Sequence, residues 1–217
     1  MKCLRTKRIL QIGRKGWHYF SRWSRMEKQN EIIRSVSSKK LFHYVLYTQL
    51  FLFLLSLLIG IILYDSFDAF LVILKVEPLY ITAGALIGAA IVIADLFLMR
   101  MLPDHYYNDG GVNEKLFGSL NPFKIALLAL CIATAEELLF RGVIQANSNL
   151  VIASLLFAVI HFRYLNHWYL TLNIFVLSFV IGAVFEWSNS LWTTIALHFI
   201  VDFLLGLYLL KKSKQLK

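Results

Sequence analysis

Long apolar stretches separated by short polar breaks make up most of the chain after residue 40. Six such stretches follow one another: 41–64, 79–101, 122–145, 150–162, 168–185 and 191–210. A helix of about 20 apolar residues crosses a hydrocarbon core about 30 Å thick, and only 150–162 is clearly short of that length. The pattern therefore predicts an all-α fold: a polytopic membrane helix bundle of about six transmembrane helices.

The first 40 residues have a different pattern. Between residues 14 and 28, helical spacing places aromatic and apolar side chains on one side and Lys or Arg on the other. This arrangement is typical of a helix lying in the headgroup region, and a disordered basic tail is the alternative. The chain thus divides into a basic, amphipathic N-terminal segment, 1–40, and a transmembrane domain, 41–217.

Composition agrees with a membrane protein. Of 217 residues, 59% are hydrophobic, and the mean hydropathy of +0.65 is too high for a soluble domain. The net charge of +9 is concentrated in residues 1–40, which hold twelve Lys or Arg. Such asymmetry favours contact with membrane lipid over a nucleic-acid partner. With an even number of spans and basic residues at both ends, both termini are expected in the cytoplasm, with the protein in the cell membrane.

The second span carries small residues and one acid. Gly84 and Gly88, with neighbouring alanines, predict a face for close helix packing. Asp95 is expected to lie near the interface, held by water or by Arg100; the alternative is a second acid in the active region.

Charged residues interrupt the third span, where they are costly and usually have a function. On a helix, Glu137 and Arg141 share a face and can pair. Glu136 is rotated by about 100° from Glu137, so it points elsewhere and is free to do chemistry.

Two further polar pairs occur at helical spacing in later spans. Phe157-x-x-x-His161 ends the fourth, and His198-x-x-x-Asp202 lies in the sixth. Polar groups on three helices are hard to bury unless they meet one another and water, so they are predicted to form one polar site.

This set suits hydrolysis of a peptide bond by water. Glu136 would be the general base, His161 would orient the water, and His198 would donate a hydrogen bond to the oxyanion. One carboxylate and two histidines are also a zinc ligand set, so a divalent metal stays open. Two other functions stay open as well: an ion- or proton-coupled transporter, and a non-catalytic membrane protein that acts by binding.

The three motifs, Glu136-Glu137-x-x-x-Arg141, Phe157-x-x-x-His161 and His198-x-x-x-Asp202, resemble those of the CPBP (Abi) intramembrane proteases. That family includes CAAX prenyl proteases and bacteriocin self-immunity proteins, and the resemblance covers about 116–210. It implies a hydrolase that cuts a membrane-associated or prenylated protein near the cytoplasmic side.

The resemblance also implies roles for single residues. The catalytic set would be Glu136, Glu137, Arg141, His161, His198 and Asp202, with Glu136 and His161 activating water and His198 and Asp202 stabilising the oxyanion. Eukaryotic-type members carry Asn where this chain has Asp202, and an ionised Asp cannot donate that hydrogen bond. With straight helices, moreover, Glu136 and His198 fall near mid-membrane and His161 near the cytoplasmic end.

Overall fold

The computed structural model describes residues 35–164 and 167–215, and the predicted amphipathic helix at 14–28 lies outside them. The described residues form helices and turns, with no strand among them. The helices are α1 (Ser38–Leu63), α2 (Phe67–Val72), α3 (Pro78–Met101), α4 (Val112–Phe117), α5 (Pro122–Glu137), α6 (Leu150–Ile160), α7 (Trp168–Ser188) and α8 (Leu191–Gln215). A π-helical segment, Leu138–Gln145, continues α5.

Polar residues at the helix starts set the boundaries of several spans. The side chains of Ser37, Asn121 and Asn149 each accept a hydrogen bond from a backbone N–H in the first turn of α1, α5 and α6. These caps satisfy donors that have no partner within the helix. At the other end of α7, Asn189 adopts a left-handed conformation (φ 45°) and turns the chain into α8.

Within 35–164 and 167–215, four helices are long and apolar enough to cross a membrane: α1, α3, α7 and α8. The predicted membrane helix bundle is thereby confirmed. A fifth predicted span corresponds to α5 together with its π-helical continuation. The remaining one, α6, has eleven residues; at 1.5 Å per residue it is about 16 Å long, roughly half the hydrocarbon core.

Helix α3 packs very closely on α8 through its small residues. Gly84 and Gly88 are buried, and a Cβ at either position would lie 2.5 Å from the backbone oxygen of Thr193 or Leu197. Only glycine allows this approach of the two backbones. The predicted small-residue packing face is therefore present at these two positions.

The polar connection 102–121 is folded against the bundle. Its helix α4 buries Val112, Leu116 and Phe117. Two of its acids form ion pairs with basic groups from elsewhere: Asp109 with Arg163 at 3.2 Å, and Glu114 with Lys212 at 3.4 Å. These pairs explain how a connection that is not basic can lie beside the basic end of α8.

Candidate active site

The first motif lies where the α-helix changes to a π-helix. Glu136 and Glu137 are the last two residues of α5, and Arg141 lies in the π-helical segment. The expectation of one uniform helix over 122–145 is therefore corrected. The helix continues without a break, but the N–H of Ala146 donates to the carbonyl of Arg141, five residues back, which is the spacing of a π-helix. Such local π-helical turns are frequent at functional sites.

Glu137 connects two of the motifs. Its Oε1 lies 2.8 Å from Nδ1 of His198, and its Oε2 lies 3.3 Å from Nε of Arg141. Glu137 and Arg141 are fully buried. The predicted pairing of Glu137 with Arg141 is thus present as an ion pair, although Nε and Oε2 are not aligned for a hydrogen bond.

Arg141 also reaches the neighbouring helices. Its Nη2 donates to the backbone oxygen of Ser178 at 2.8 Å and to the Ser178 hydroxyl at 3.1 Å. Its guanidinium carbon lies 4.8 Å from the centre of the Phe157 ring. A buried cation needs such partners, so Arg141 ties the first motif to α6 and α7.

Glu136 points away from the Glu137–Arg141 pair, as its rotation on the helix predicts. It is 6% exposed, and its Oε1 accepts a hydrogen bond of 3.3 Å from Nε2 of Gln49 on α1. The neighbouring carboxylates thus have different surroundings: Glu137 has two basic partners and Glu136 has an amide.

His161 follows the last residue of α6 and has a defined tautomer. Its Nδ1 lies 2.7 Å from the backbone oxygen of Phe157. A carbonyl oxygen only accepts hydrogen bonds, so Nδ1 carries the hydrogen and Nε2 of the neutral ring can accept one. The Phe157 ring lies 4.8 Å from the His161 ring and 6.0 Å from the His198 ring, so it separates the two imidazoles.

A polar network from the 102–121 connection supports His161. The Tyr164 ring is stacked against it at 6.2 Å, and the Tyr164 hydroxyl contacts Asn113 and Arg163. Asp109 binds Arg163 and accepts three backbone N–H bonds at the start of α4. Burial raises the pKa of Tyr164, so the phenol stays neutral and keeps these contacts near neutral pH.

The third motif is arranged differently from the expectation. The predicted partner of His198 is Asp202, yet Nε2 of His198 and Oδ2 of Asp202 are 3.7 Å apart, too far for a hydrogen bond. The close partner of His198 is Glu137 instead. The Glu137–His198 contact and the Phe157 ring, 6.0 Å from the His198 ring, bring all three motifs into one region.

The short helix α6 removes the expected difference in depth. The turns 146–149 and 189–190 lie at the same end of the bundle, since Ala146, Asn147 and Asn189 line one small pocket. At a rise of 1.5 Å per residue, His198, Glu136 and His161 each lie about 10–17 Å from that end of the bundle, measured along their own helices. Because α6 ends halfway along the bundle, His161 reaches the level of Glu136, so the difference in depth expected for straight helices is absent.

A cavity of about 510 Å³ extends from Asp202 along α8 to Lys212 and Ser213. Asp95 lines it too, and accepts hydrogen bonds of 2.6 Å from the Tyr169 hydroxyl and from Nδ2 of Asn173. The expected partner Arg100 is therefore replaced by two side chains of α7. Asp95 and Asp202 face the same space, which gives Asp202 access from the end of α8 that carries the basic residues.

The residues do not form a metal site as they are arranged. In 35–164 and 167–215, no three His, Cys, Asp or Glu side chains come close enough to hold one ion. The chemistry below therefore uses side chains and water alone.

Three contributors to the site were not identified from the sequence: Gln49, Ser178 and Tyr164. Gln49 carried a usable signal, because it is a polar residue inside the first apolar span, where such residues are rare. Ser178 and Tyr164 carried none, since an isolated Ser or Tyr is common in membrane helices and at their ends.

Comparison with known proteins finds similarity to one family. Residues 118–204 match the family model described as "Type II CAAX prenyl endopeptidase Rce1-like". A Bacillus subtilis relative, "Uncharacterized protein YpbD", is 43% identical over 119 residues, which make up 55% of this chain and 63% of the relative. The chain thus matches less than two thirds of that relative's length. No solved structure gives a significant match.

The matched region contains all seven named residues of the three motifs, from Glu136 to Asp202. Gln49 lies outside it. The resemblance of this chain to the CPBP family of CAAX-type membrane proteases is therefore confirmed over the region that carries all three motifs.

Proposed function

We propose that this chain is an intramembrane endopeptidase of the CPBP type, which hydrolyses a peptide bond of a membrane-associated or prenylated protein. The observation that carries the proposal is the difference between the two adjacent carboxylates. Glu137 forms close ion pairs with Arg141 and His198, whereas Glu136 forms no ion pair with the residues that the structure describes and accepts a hydrogen bond from the amide of Gln49. A carboxylate without a basic partner is available to accept a proton from water.

In the proposed mechanism, a water molecule lies between Glu136 and Nε2 of His161. Glu136 takes one proton as the water oxygen bonds to the carbonyl carbon, and His161 accepts a hydrogen bond from the other hydrogen. The C–N bond then breaks, and the proton held by Glu136 passes to the leaving amine. The fixed Nδ1–H of His161 supports this role, because it leaves Nε2 as an acceptor.

His198 would stabilise the oxyanion that forms on the carbonyl oxygen. Its Nδ1–H is donated to Glu137, which holds the ring in place, and its Nε2–H is then directed into the site. With both ring hydrogens present, His198 and Arg141 also balance the surrounding carboxylates. This balance matters because uncompensated charge is costly in a buried site.

The cavity beside Asp202 suggests how a substrate enters. It extends along α8 toward the basic C-terminal end, which we propose lies in the cytoplasm of a cell in whose membrane the protein resides. A lipid-anchored protein at the cytoplasmic face could insert its C-terminal segment there. The family match to CAAX prenyl endopeptidases supports a prenylated substrate.

The test is cleavage of quenched fluorescent peptides by purified protein in detergent. The probes are a farnesylated peptide ending in Cys-aliphatic-aliphatic-X and the same peptide without the farnesyl group. We expect wild type to cleave the farnesylated probe, and Glu136→Gln to lose about 10²- to 10⁴-fold in rate while remaining folded. Equal rates for the two proteins would contradict the mechanism, and no cleavage by wild type would contradict the substrate class.

A further inference from the structure

Gln49 is a buried amide with one unused acceptor next to the proposed base. The residue is 5% exposed and lies on α1, outside the region that matches the family model. Only three residues of this 26-residue helix are buried, Gln49, Leu52 and Ser56, and they form one stripe. Leu52 packs against Ala135 and Leu139, on either side of the two glutamates in sequence. The stripe therefore fixes Gln49 against the first motif.

The chemistry of the amide decides which of its atoms faces Glu136. An ionised carboxylate only accepts hydrogen bonds, so the NH₂ group must be directed at it, as the 3.3 Å contact from Nε2 to Oε1 shows. The side-chain oxygen of Gln49, Oε1, then takes no part in the contact with Glu136. It is buried, and among residues 35–164 and 167–215 it has no hydrogen-bond partner, although a buried acceptor normally has one.

We propose that Gln49 is a positioning residue of the hydrolytic site: Nε2 holds Glu136 in place, and Oε1 accepts a backbone N–H from the bound peptide. The inference rests on the proposed hydrolysis. In that mechanism both hydrogens of the water are already taken, one by Glu136 and one by His161. A peptide N–H is the donor that remains, because every peptide substrate carries such groups beside the bond that is cut.

The chain offers a matched control in Gln145. It is also a 5% exposed glutamine whose Oε1 has no hydrogen-bond partner in the described part of the chain, but its Nε2 donates to the backbone oxygen of Gly182 at 2.9 Å. Gln49→Met and Gln145→Met therefore remove the same group from comparable surroundings. Only the first of them changes the contact with Glu136.

The experiment compares wild type, both Met variants, Gln49→Glu and Glu136→Gln on the farnesylated probe. We expect Gln49→Met to lose about 10- to 100-fold in kcat/KM, as for other residues that orient a reacting group, and Gln145→Met to stay within about threefold. In Gln49→Glu, two adjacent carboxyl groups share a proton, so activity should recover only as the pH is raised. A residue that only fills space would not change the pH profile in this way.

An infrared measurement tests the contact without a substrate. The carboxylate stretch that disappears in Glu136→Gln should shift in Gln49→Met and stay unchanged in Gln145→Met. Wild-type rates in Gln49→Met, or equal losses in both Met variants, would overturn the inference and leave the proposed function intact. Cleavage by Glu136→Gln at the wild-type rate would overturn the proposed function itself.

Discussion

The Oε1 atom of Glu137 lies 2.8 Å from Nδ1 of His198, which joins the first motif to the third across two helices. The same carboxylate contacts Arg141 through its other oxygen. The most buried acid of the site therefore orients a histidine and compensates an arginine at the same time. Its neighbour Glu136 accepts a hydrogen bond from Gln49 instead, as the proposed role as a base requires a carboxylate outside this pair.

Removal of Arg141 is expected to destabilise the protein. Arg141→Met leaves Glu137 buried beside a single basic partner, and breaking a buried ion pair in this way costs about 3–5 kcal/mol. Unfolding in detergent, followed by circular dichroism, measures the loss. The double variant Glu137→Gln/Arg141→Met should recover part of it.

The exposed pair Lys75–Glu77, 2.9 Å apart, is the control. Lys75→Met should change stability by no more than about 1 kcal/mol, because water screens an exposed pair. Equal losses in Lys75→Met and Arg141→Met would show that burial of the Arg141 pair does not matter.

Replacement of Asp202 by Asn is expected to be mild. The close partner of His198 is Glu137, whereas Asp202 is 3.7 Å away. Asp202→Asn should therefore stay within about tenfold of wild type in kcat/KM, while His198→Leu should lose about 10²- to 10³-fold, as for a lost oxyanion donor. A severe loss in Asp202→Asn would mean that its negative charge is required.

Two amide replacements of His161 distinguish its ring nitrogens. Asn places its amide near the position of Nδ1, and Gln reaches the position of Nε2. If Nε2 contacts the water while Nδ1 only binds the Phe157 carbonyl, Gln should keep more activity than Asn, by about tenfold. Steady-state rates on the farnesylated probe measure the difference, and the reverse order would assign the water to Nδ1.

The contact between α3 and α8 should not tolerate an added methyl group. In Gly88→Ala, the new Cβ would lie 2.5 Å from the Leu197 oxygen, so the helices must separate, at a cost of about 1–3 kcal/mol. Gly60→Ala is the control, because the nearest atom there is 3.6 Å away. Thermal unfolding should show a loss in the first variant and none in the second.

A chelator tests the metal-free arrangement. Since no three ligands converge among residues 35–164 and 167–215, we expect cleavage to be unchanged after prolonged treatment with a strong chelator and removal of the chelated ion. Activity that falls on treatment and returns with added zinc would contradict this expectation.

Spacing alone was enough to select the residues of the three motifs, because helical repeats place Glu137 with Arg141 and separate Glu136 from both. It was not enough to find their partners. The Glu137–His198 contact joins residues 61 apart in sequence, and such contacts depend on how helices pack. The level of His161 relative to Glu136 could not be found from spacing either, because it depends on where the short helix α6 ends within the bundle.

The change to a π-helix after Glu137 limits how this chain can vary in length. Loss of one residue from Leu138–Gln145 could return the segment to ordinary α-helical bonding, which is locally more favourable. A π-helical turn holds one residue more than an α-helical turn, so the helix beyond the deletion would keep its orientation relative to Glu136. The residues inside the turn would instead lose one of the positions that they share around the helix axis. A relative that lacks one residue here could thus keep the fold and lose the arrangement around Arg141, so gaps in this segment are a useful marker of relatives with an altered site.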